Sequence, residues 1–308
     1  MIYTVTLNPA IDYVMHPVSL DMGFTNRSSS EEVYCGGNGI NISTLLNELK
    51  VVNVAFGIAA GFTGDYLIKT LQDNGVSANF VRLKEGFTRI NVKLNGIVMT
   101  MCNGMGPVIT PDKVDELLER LECIAQGDTL ILTGSIPKSL PEDMYDIIMK
   151  RLENRGVRFV VDAPGALLLK SLPAHPFLIK PNNHEVGRIF DASPETPEDC
   201  IPYAQKLHDQ GAQNVIVSCG GHGSLLIDEH NEIHICPTVK IKLENATGAG
   251  DSMVAGFVAK TQAGASYDEA LRFASACGTA TAASKGIANR ATIDRISAEL
   301  DALIANNS

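Results

Sequence analysis

Short apolar runs bounded by turn residues recur along the chain: Ile2 to Leu7, Thr129-Leu130-Ile131-Leu132, Arg158-Phe159-Val160-Val161, Phe177-Leu178-Ile179 and Val215-Ile216-Val217. Runs that are apolar throughout, rather than alternating, suit strands buried on both faces of a parallel sheet. Helical signals lie between them. Thr110-Pro111-Asp112 and Thr196-Pro197-Glu198 each supply an N-cap, a proline at the first helical position and an acid in the first turn, predicting helices that run to about Ala125 and Gln210. Toward the C-terminus, Ser224 to Asp228 and Glu232 to Cys236 read as a hairpin around Glu229-His230-Asn231, followed by helices near 250–263, 267–284 and 292–305. Alternation of this kind predicts an α/β fold, a sheet flanked by helices.

Two stretches, roughly 12–35 and 88–102, break that rhythm. They lack helical period, and the second carries Asn95-Gly96 between β-type runs, a strong hairpin signal. Small strands outside the main sheet follow from this, forming a flap. No repeat, low-complexity segment or linker interrupts the chain, so 1–308 reads as one α/β domain carrying these extra strands.

Composition narrows the function classes. The 308 residues are 45% hydrophobic, enough for a substantial core, and the formal net charge of −10 argues against a nucleic-acid partner, which requires a basic surface. No run of about 18 apolar residues and no basic-then-apolar leader occurs, so neither a membrane span nor a secretory signal is expected. Seven scattered cysteines without C-x-x-C spacing read as reduced apolar fillers, and the seven histidines form no paired-ligand pattern. Together these features predict a cytoplasmic enzyme.

The chemistry concentrates in Thr247-Gly248-Ala249-Gly250-Asp251, a glycine-rich turn opening an apolar helix with a carboxylate in its first turn. Glycines let a ligand approach the backbone, and the free N–H groups at a helix start favour an anion such as phosphate. Asp251 beside that anion hole suits a general base for an attacking hydroxyl; the bland alternative is an acid that merely complements the helix dipole. A second turn, Gly36-Gly37-Asn38-Gly39-Ile40-Asn41, opens the periodic run Ile40, Ile42, Leu45, Leu46, Leu49. It lacks the third glycine of a dinucleotide fingerprint, which excludes a Rossmann dehydrogenase. Gly64-Asp65-Tyr66-Leu67-Ile68-Lys69-Thr70 lacks the glycine before lysine, so a P-loop is excluded too, and its apolar spacing reads as an ordinary helix.

With both turns in place the chain resembles the ribokinase-like, phosphofructokinase B family of sugar kinases over essentially its whole length. The motifs that carry the resemblance stand in order: Thr6-Leu7-Asn8-Pro9-Ala10-Ile11-Asp12, Gly36 to Asn41, Thr88-Arg89-Ile90-Asn91, Gly134-Ser135-Ile136-Pro137, Lys180-Pro181-Asn182-Asn183-His184-Glu185, Val217-Ser218-Cys219-Gly220 and Thr247 to Asp251. The wording is nearest the phosphosugar branch, 1-phosphofructokinase and tagatose-6-phosphate kinase in particular. This resemblance implies a three-layer α/β/α domain with a small β-strand lid over the sugar site, and a homodimer through that lid. It also implies ATP, Mg²⁺ and a phosphosugar as ligands.

Site residues carry over in the same way. Asp251 is implied as base, with the Gly248, Ala249 and Gly250 amides stabilising the moving phosphoryl group, and Thr247 preceding them on the nucleotide side. Asp12, Gly37, Asn38 and Asn41 are implied to hold the sugar. Arg27, Arg89 and Ser135 are implied to bind the phosphate already on it, a task that suits the planar guanidinium. Asn38 departs from the lysine of several relatives, which removes one positive charge. On the nucleotide side fall Lys180, Ser218, Gly220 and Gly223. Asn182 and Glu185 form an N-x-x-E element associated with magnesium, Glu185 acting through water, although the same pair also reads as a capping box. Ser284 is either an adenine-side contact or a carbonyl-side ligand of a monovalent cation. The sequence therefore predicts an ATP-dependent phosphosugar kinase, with fructose 1-phosphate ranked before tagatose 6-phosphate and fructose 6-phosphate. Its rival from another class is a non-catalytic sugar- or nucleotide-binding protein of the same fold.

Overall fold

A computed structural model describes residues 1–96 and 99–307. Nine strands form the main sheet: β1 (Ile2–Thr6), β4 (Asn53–Ala60), β5 (Ser77–Leu83), β8 (Thr129–Thr133), β9 (Arg158–Asp162), β10 (Leu178–Ile179), β11 (Val215–Ser218), β12 (Ser224–Ile227) and β13 (Ile233–Cys236). Their order is β13-β12-β11-β10-β9-β8-β1-β4-β5. From β5 to β11 every pairing is parallel, and the antiparallel β12 and β13 finish one edge as the expected hairpin. The predicted apolar runs are buried on both sides, as Leu130, Ile131 and Leu132 are.

Helices cover both faces. On one side α1 (Asn38–Glu48), α8 (Ala249–Gln262), α9 (Tyr267–Ala282) and α10 (Arg290–Asn307) share a core in which Ile42, Leu45 and Leu46 meet Val254, Phe257 and Val258. On the other, α3 (Pro111–Leu121), α4 (Met144–Arg151), α5 (Gly165–Ser171), α6 (Asn183–Phe190) and α7 (Pro197–Asp209) pack on Leu130, Leu132, Val161 and Val215. At the β4–β5 edge, α2 (Gly61–Asp73) fills the stretch read as an ordinary helix. Residues 251–258 of α8 are all buried, as expected of a helix apolar all round. Some boundaries differ from the sequence reading, α10 extending two residues further at each end. α3 stops at Leu121 rather than near Ala125, where Glu122 and Ile124 turn back onto Glu119 and Leu121, and α9 ends at Ala282.

The irregular stretches form a second sheet of β2 (Ala10–Pro17), β3 (Ser28–Gly36), β6 (Arg89–Asn95) and β7 (Met99–Asn103), ordered β3-β2-β6-β7. β6 and β7 pair antiparallel up to Asn95 and Met99, while the tip of the hairpin read there, Ile97 and Val98, lies outside the described residues. At its base Ile11, Cys35 and Ile90 pack with Ile40 of α1 and with Leu67 and Ile68 of α2, anchoring the sheet to the main body. By strand alternation Asp12 and Asn91 then face the opposite way.

Candidate active site

Parallel α/β sheets present ligand sites at the carboxyl ends of their strands. Five such ends supply this one. β1 leads through Asn8 to Asp12, β8 to Gly134 and Ser135, β9 ends in Asp162, β10 runs into Lys180, and β11 ends in Ser218.

At the centre stands Asp251, in the first turn of α8 and 5% exposed. The N-termini of α1 and α8 converge, so Asn41 Nδ2 donates to Asp251 Oδ2 at 2.7 Å. Burial first, then repulsion from Asp162, raises the Asp251 pKa to about 7 against the opposing help of Asn41, Lys180 and Asn38. A carboxyl poised there can take a proton near neutral pH, and burial outweighs stabilisation of its charge. Gly248 caps α8 at φ +83°, where a Cβ would strike the Ile287 side chain, and a Cβ on Gly250 would come within 2.9 Å of Lys180 Nζ. The glycines thus admit Lys180 against the helix start; the Ala249 N–H donates to the Ala246 carbonyl at 3.3 Å, while the first-turn amides of Gly250 and Asp251 have no partner four residues back within the helix. Thr247, just before the cap, donates its N–H to Asn245 Oδ1 and lines the adjoining cleft.

Lys180 is 5% exposed and pairs with Asp162 at 3.4 Å. Burial opposes its charge, yet Asp162, Glu185 and Asp251 outweigh burial and hold its pKa above the usual lysine value. Asp162 is itself pushed up, by burial and then by Glu185, against Lys180. Asp162 is not among the residues expected from the sequence, although a carboxylate closing an apolar parallel strand is a usable signal. Asn182 and Glu185 form the capping box of α6: Asn182 Oδ1 accepts from the Glu185 N–H at 2.8 Å, and Glu185 Oε2 accepts from the Asn182 N–H at 2.9 Å. The cap occupies Oε2 of a half-buried carboxylate whose charge acts on both Lys180 and Asp162. Two carboxylates are oxygen ligands suited to Mg²⁺, held partly through water, and the buried ammonium suits nucleotide phosphates. Ser218 bridges to Asn182 between strands, and Gly220 and Gly223 flank a short 3₁₀ turn at φ +52° and +103°. Ser284 turns inward, donating its hydroxyl to the Ala280 carbonyl at 2.8 Å.

The second group sits under and along the small sheet. Arg89 Nε donates to the Asn8 carbonyl at 3.1 Å, and Asn8 Nδ2 reaches Ser135 Oγ at 3.4 Å. Asn38 lies beside Gly134, so Arg89, Ser135 and Asn38 are gathered at one place, with Gly37 at the cap of α1. Burial pulls the Arg89 pKa below the usual guanidinium value and Asp12 supports its charge. Asp12 accepts from Asn91 Nδ2 and Lys93 Nζ, each at 2.8 Å. Asn91 and Lys93 went unassigned in the sequence, although Arg89, Asn91 and Lys93 alternate along one strand and so share a face. Arg27 is not gathered with them. It stands exposed just before β3, its carbonyl accepting from the Val18 N–H at 3.3 Å, and its guanidinium forms no ion pair among the described residues. Between the small sheet and the loops at Glu244–Thr247 and Lys285–Ile287 runs a cleft lined by Asp12, Tyr34, Asn41 and Lys93.

A buried carboxylate with a pKa near neutrality, beside a helix start and a buried lysine, is a site equipped to deprotonate a hydroxyl next to an anion. Comparison with known proteins agrees with that class of chemistry. Residues 5–293 match the model for pfkB family carbohydrate kinases, and the chain belongs to that family. It is 41% identical over 300 residues to the 1-phosphofructokinase of Bacillus subtilis (strain 168), covering 97% of this chain and 98% of that protein. It is 34% identical over 301 residues to the D-tagatose-1-phosphate kinase of Bacillus licheniformis, with 97% and 98% covered. Among solved structures, phosphofructokinase-2 from Escherichia coli in complex with substrates and products superposes with a TM-score of 0.91 at 27% identity, covering 97% of this chain and 99% of that one. Family members transfer phosphoryl groups to sugar hydroxyls, and the fold is that of the family. Among the described residues, no helix is long and apolar enough to cross a membrane.

Proposed function

We propose that this chain is an ATP-dependent phosphoketose kinase that converts fructose 1-phosphate to fructose 1,6-bisphosphate. The observation that carries the reading is the pairing of two groups: a near-neutral Asp251 at the start of α8, held by Asn41 and Asn38, and Arg89 with Ser135 on the other side of Asn38. The first serves the reacting hydroxyl and the second a phosphate remote from it. Asp12 accepts hydrogen bonds from the sugar hydroxyls between them and orients the ring. Asp251 removes the proton of the 6-hydroxyl as its oxygen bonds to the γ-phosphorus, and the bond to the β-phosphate oxygen breaks to release ADP. The Gly250 amide and Lys180 meet the charge on the moving group, with the Ala249 amide joining them when it leaves the Ala246 carbonyl. Bound Mg²⁺, held near Glu185 and Asp162, supplies further neutralisation of the phosphates. The similarity to the B. subtilis 1-phosphofructokinase supports fructose 1-phosphate as acceptor. A tagatose phosphate is the second reading, favoured by the similarity to the B. licheniformis kinase, and differs only in the configuration at one ring carbon. An ADP-release assay across fructose 1-phosphate, fructose 6-phosphate, tagatose 1-phosphate, tagatose 6-phosphate and fructose tests the assignment; transfer to none of the phosphosugars refutes it.

Magnesium dependence gives a second test. Glu185→Gln keeps an oxygen to cap α6 but removes the charge, so unfolding temperature should stay constant while the free Mg²⁺ needed for half-maximal activity rises. Full activity in excess chelator would exclude the metal. We also propose that the small sheet acts as a lid and pairs with that of a second copy. Its face away from the cleft carries Tyr13, Met15, Val33, Val92 and Leu94 as cross-strand neighbours, with Val33 42% exposed, an apolar surface that a partner sheet can bury. Leu94→Glu should convert a dimer to a monomer in sedimentation velocity. A wild type that sediments as a monomer removes the proposal.

A further inference from the structure

Lys93 has a place in this cleft that the reaction as described leaves unused. Its ammonium pairs with Asp12 at 2.8 Å, the two side chains being only 13% and 12% exposed, and both residues line the cleft. The pair is therefore unlike the exposed ion pairs that contribute little. Nor is Lys93 needed to satisfy Asp12 alone, because Asn91 already donates to the other carboxylate oxygen at 2.8 Å. An ammonium carries three donors. Lys93 makes no other hydrogen bond among the described residues, so two N–H groups remain for whatever enters.

Charge points the same way. The cleft holds Asp12, Glu32 and Glu244, with Asp251 just beyond Asn41, and a phosphosugar brings further negative charge. Asp12 without a cation would oppose such a substrate. Lys285 also lines the cleft but is exposed and pairs with Glu32 at 3.4 Å, and Asn38 adds no charge, so Arg89 and Lys93, on one face of β6, are the cations acting on Asp12. We propose that Lys93 is a substrate-positioning residue: it fixes Asp12 toward the sugar hydroxyls, offsets its charge against an anionic ketose phosphate, and donates a free N–H to a neighbouring hydroxyl. The inference rests on the phosphoketose kinase reading and adds a determinant of preference for phosphorylated over unphosphorylated sugar.

The test compares wild type, Lys93→Met and Lys93→Arg in steady-state assays with fructose 1-phosphate, tagatose 1-phosphate and fructose, alongside thermal unfolding. Lys93→Met should raise the KM for the preferred phosphoketose about tenfold to a hundredfold, the range for losing a charge-assisted hydrogen bond, while the KM for ATP is unchanged. Activity on fructose should fall less, because the lost charge matters most to an anion. Lys93→Arg should recover most of the loss. A residue that only braces β2 against β6 would instead lower the unfolding temperature and weaken all substrates alike. If Lys93→Met does not fold, Lys93→Gln, which keeps a donor without charge, gives the same comparison. Wild type that phosphorylates no phosphoketose defeats the functional reading itself. Wild type that does so, with Lys93→Met leaving that KM unchanged or affecting phosphoketose and fructose equally, overturns the role of Lys93 alone.

Discussion

Asp251→Asn should lower kcat by roughly 10²–10⁴, the usual contribution of a positioned general base, with ATP affinity nearly unchanged. The amide keeps the side chain's shape and can still pair with Asn41, so what is lost is the ability to take the proton. In wild type the same group should set the pH profile. Since Asp251 has its pKa raised to about 7, kcat should climb as pH rises through that value and fall away below it, a limb that Asp251→Asn removes. Stability should move the other way. A carboxyl whose folded pKa lies above its unfolded value contributes stability that is fully present below the unfolded pKa, near 3.9, and lost as pH rises through about 7. At pH 8 the buried charge is a burden that asparagine relieves, so the variant should unfold at a higher temperature than wild type there and lose that advantage at pH 5. A variant with near-normal kcat removes Asp251 from the mechanism. One that is inactive but less stable at pH 8 contradicts the account of its burial.

That trade between stability and reactivity explains which parts of the site were legible in the sequence. Gly248, Gly250 and Asp251 could be read because their function requires a backbone anomaly, a glycine at positive φ before a buried helix, and such anomalies leave local marks. The proline-started α7 was legible for a similar reason, with Thr196 and Asp199 closing a capping box. Asp162 and Lys93 carry only the weaker signals of strand position, a carboxylate closing an apolar strand and a lysine in alternation with Arg89 and Asn91. Each is one polar residue at a strand end or in a strand, and each acquires its role only when sheets bring it to Lys180 or Asp12. Asn182 and Glu185 were ambiguous for a deeper reason: the carboxylate that closes the capping box of α6 also acts electrostatically on the buried Lys180, so one placement serves both readings. β4 and β5, which complete the β1 edge of the main sheet, stood out less than the other strands. Glycine and alanine in Asn53–Ala60 dilute the apolar run: Phe56 and Ile58 are buried on one face, while on the other the small Ala55 and Ala59 pack with residues of α1 and α2.

Arg89→Ala should separate a phosphosugar kinase from a plain sugar kinase. The guanidinium spends Nε on the Asn8 carbonyl, which fixes its plane and leaves the two terminal nitrogens for a ligand beside Ser135 and Asn38. Half-buried and without a carboxylate in ion-pair contact, it keeps its donors in a setting where burial already works against its charge. An anionic ligand would relieve that cost, and a planar fork matches two phosphate oxygens at once. Removing it should cost on the order of 1.5–3 kcal/mol of substrate binding, the scale for hydrogen bonds to charged groups. The loss should fall on the phosphoketose KM and leave the ATP KM nearly constant, since the proposed reading puts the nucleotide at Lys180 and the start of α8, away from Arg89. kcat should fall as well to the extent that the anchored phosphate aligns the distant hydroxyl with Asp251. Arg89→Lys should restore charge but not the fork, recovering part of the affinity. Asn38→Lys, which adds a cation at the neighbouring position, should tighten phosphosugar binding if Asn38 and Arg89 face the same phosphate. Equal turnover of fructose and fructose 1-phosphate by wild type, with Arg89→Ala changing neither, would place the phosphate elsewhere and remove the phosphosugar assignment.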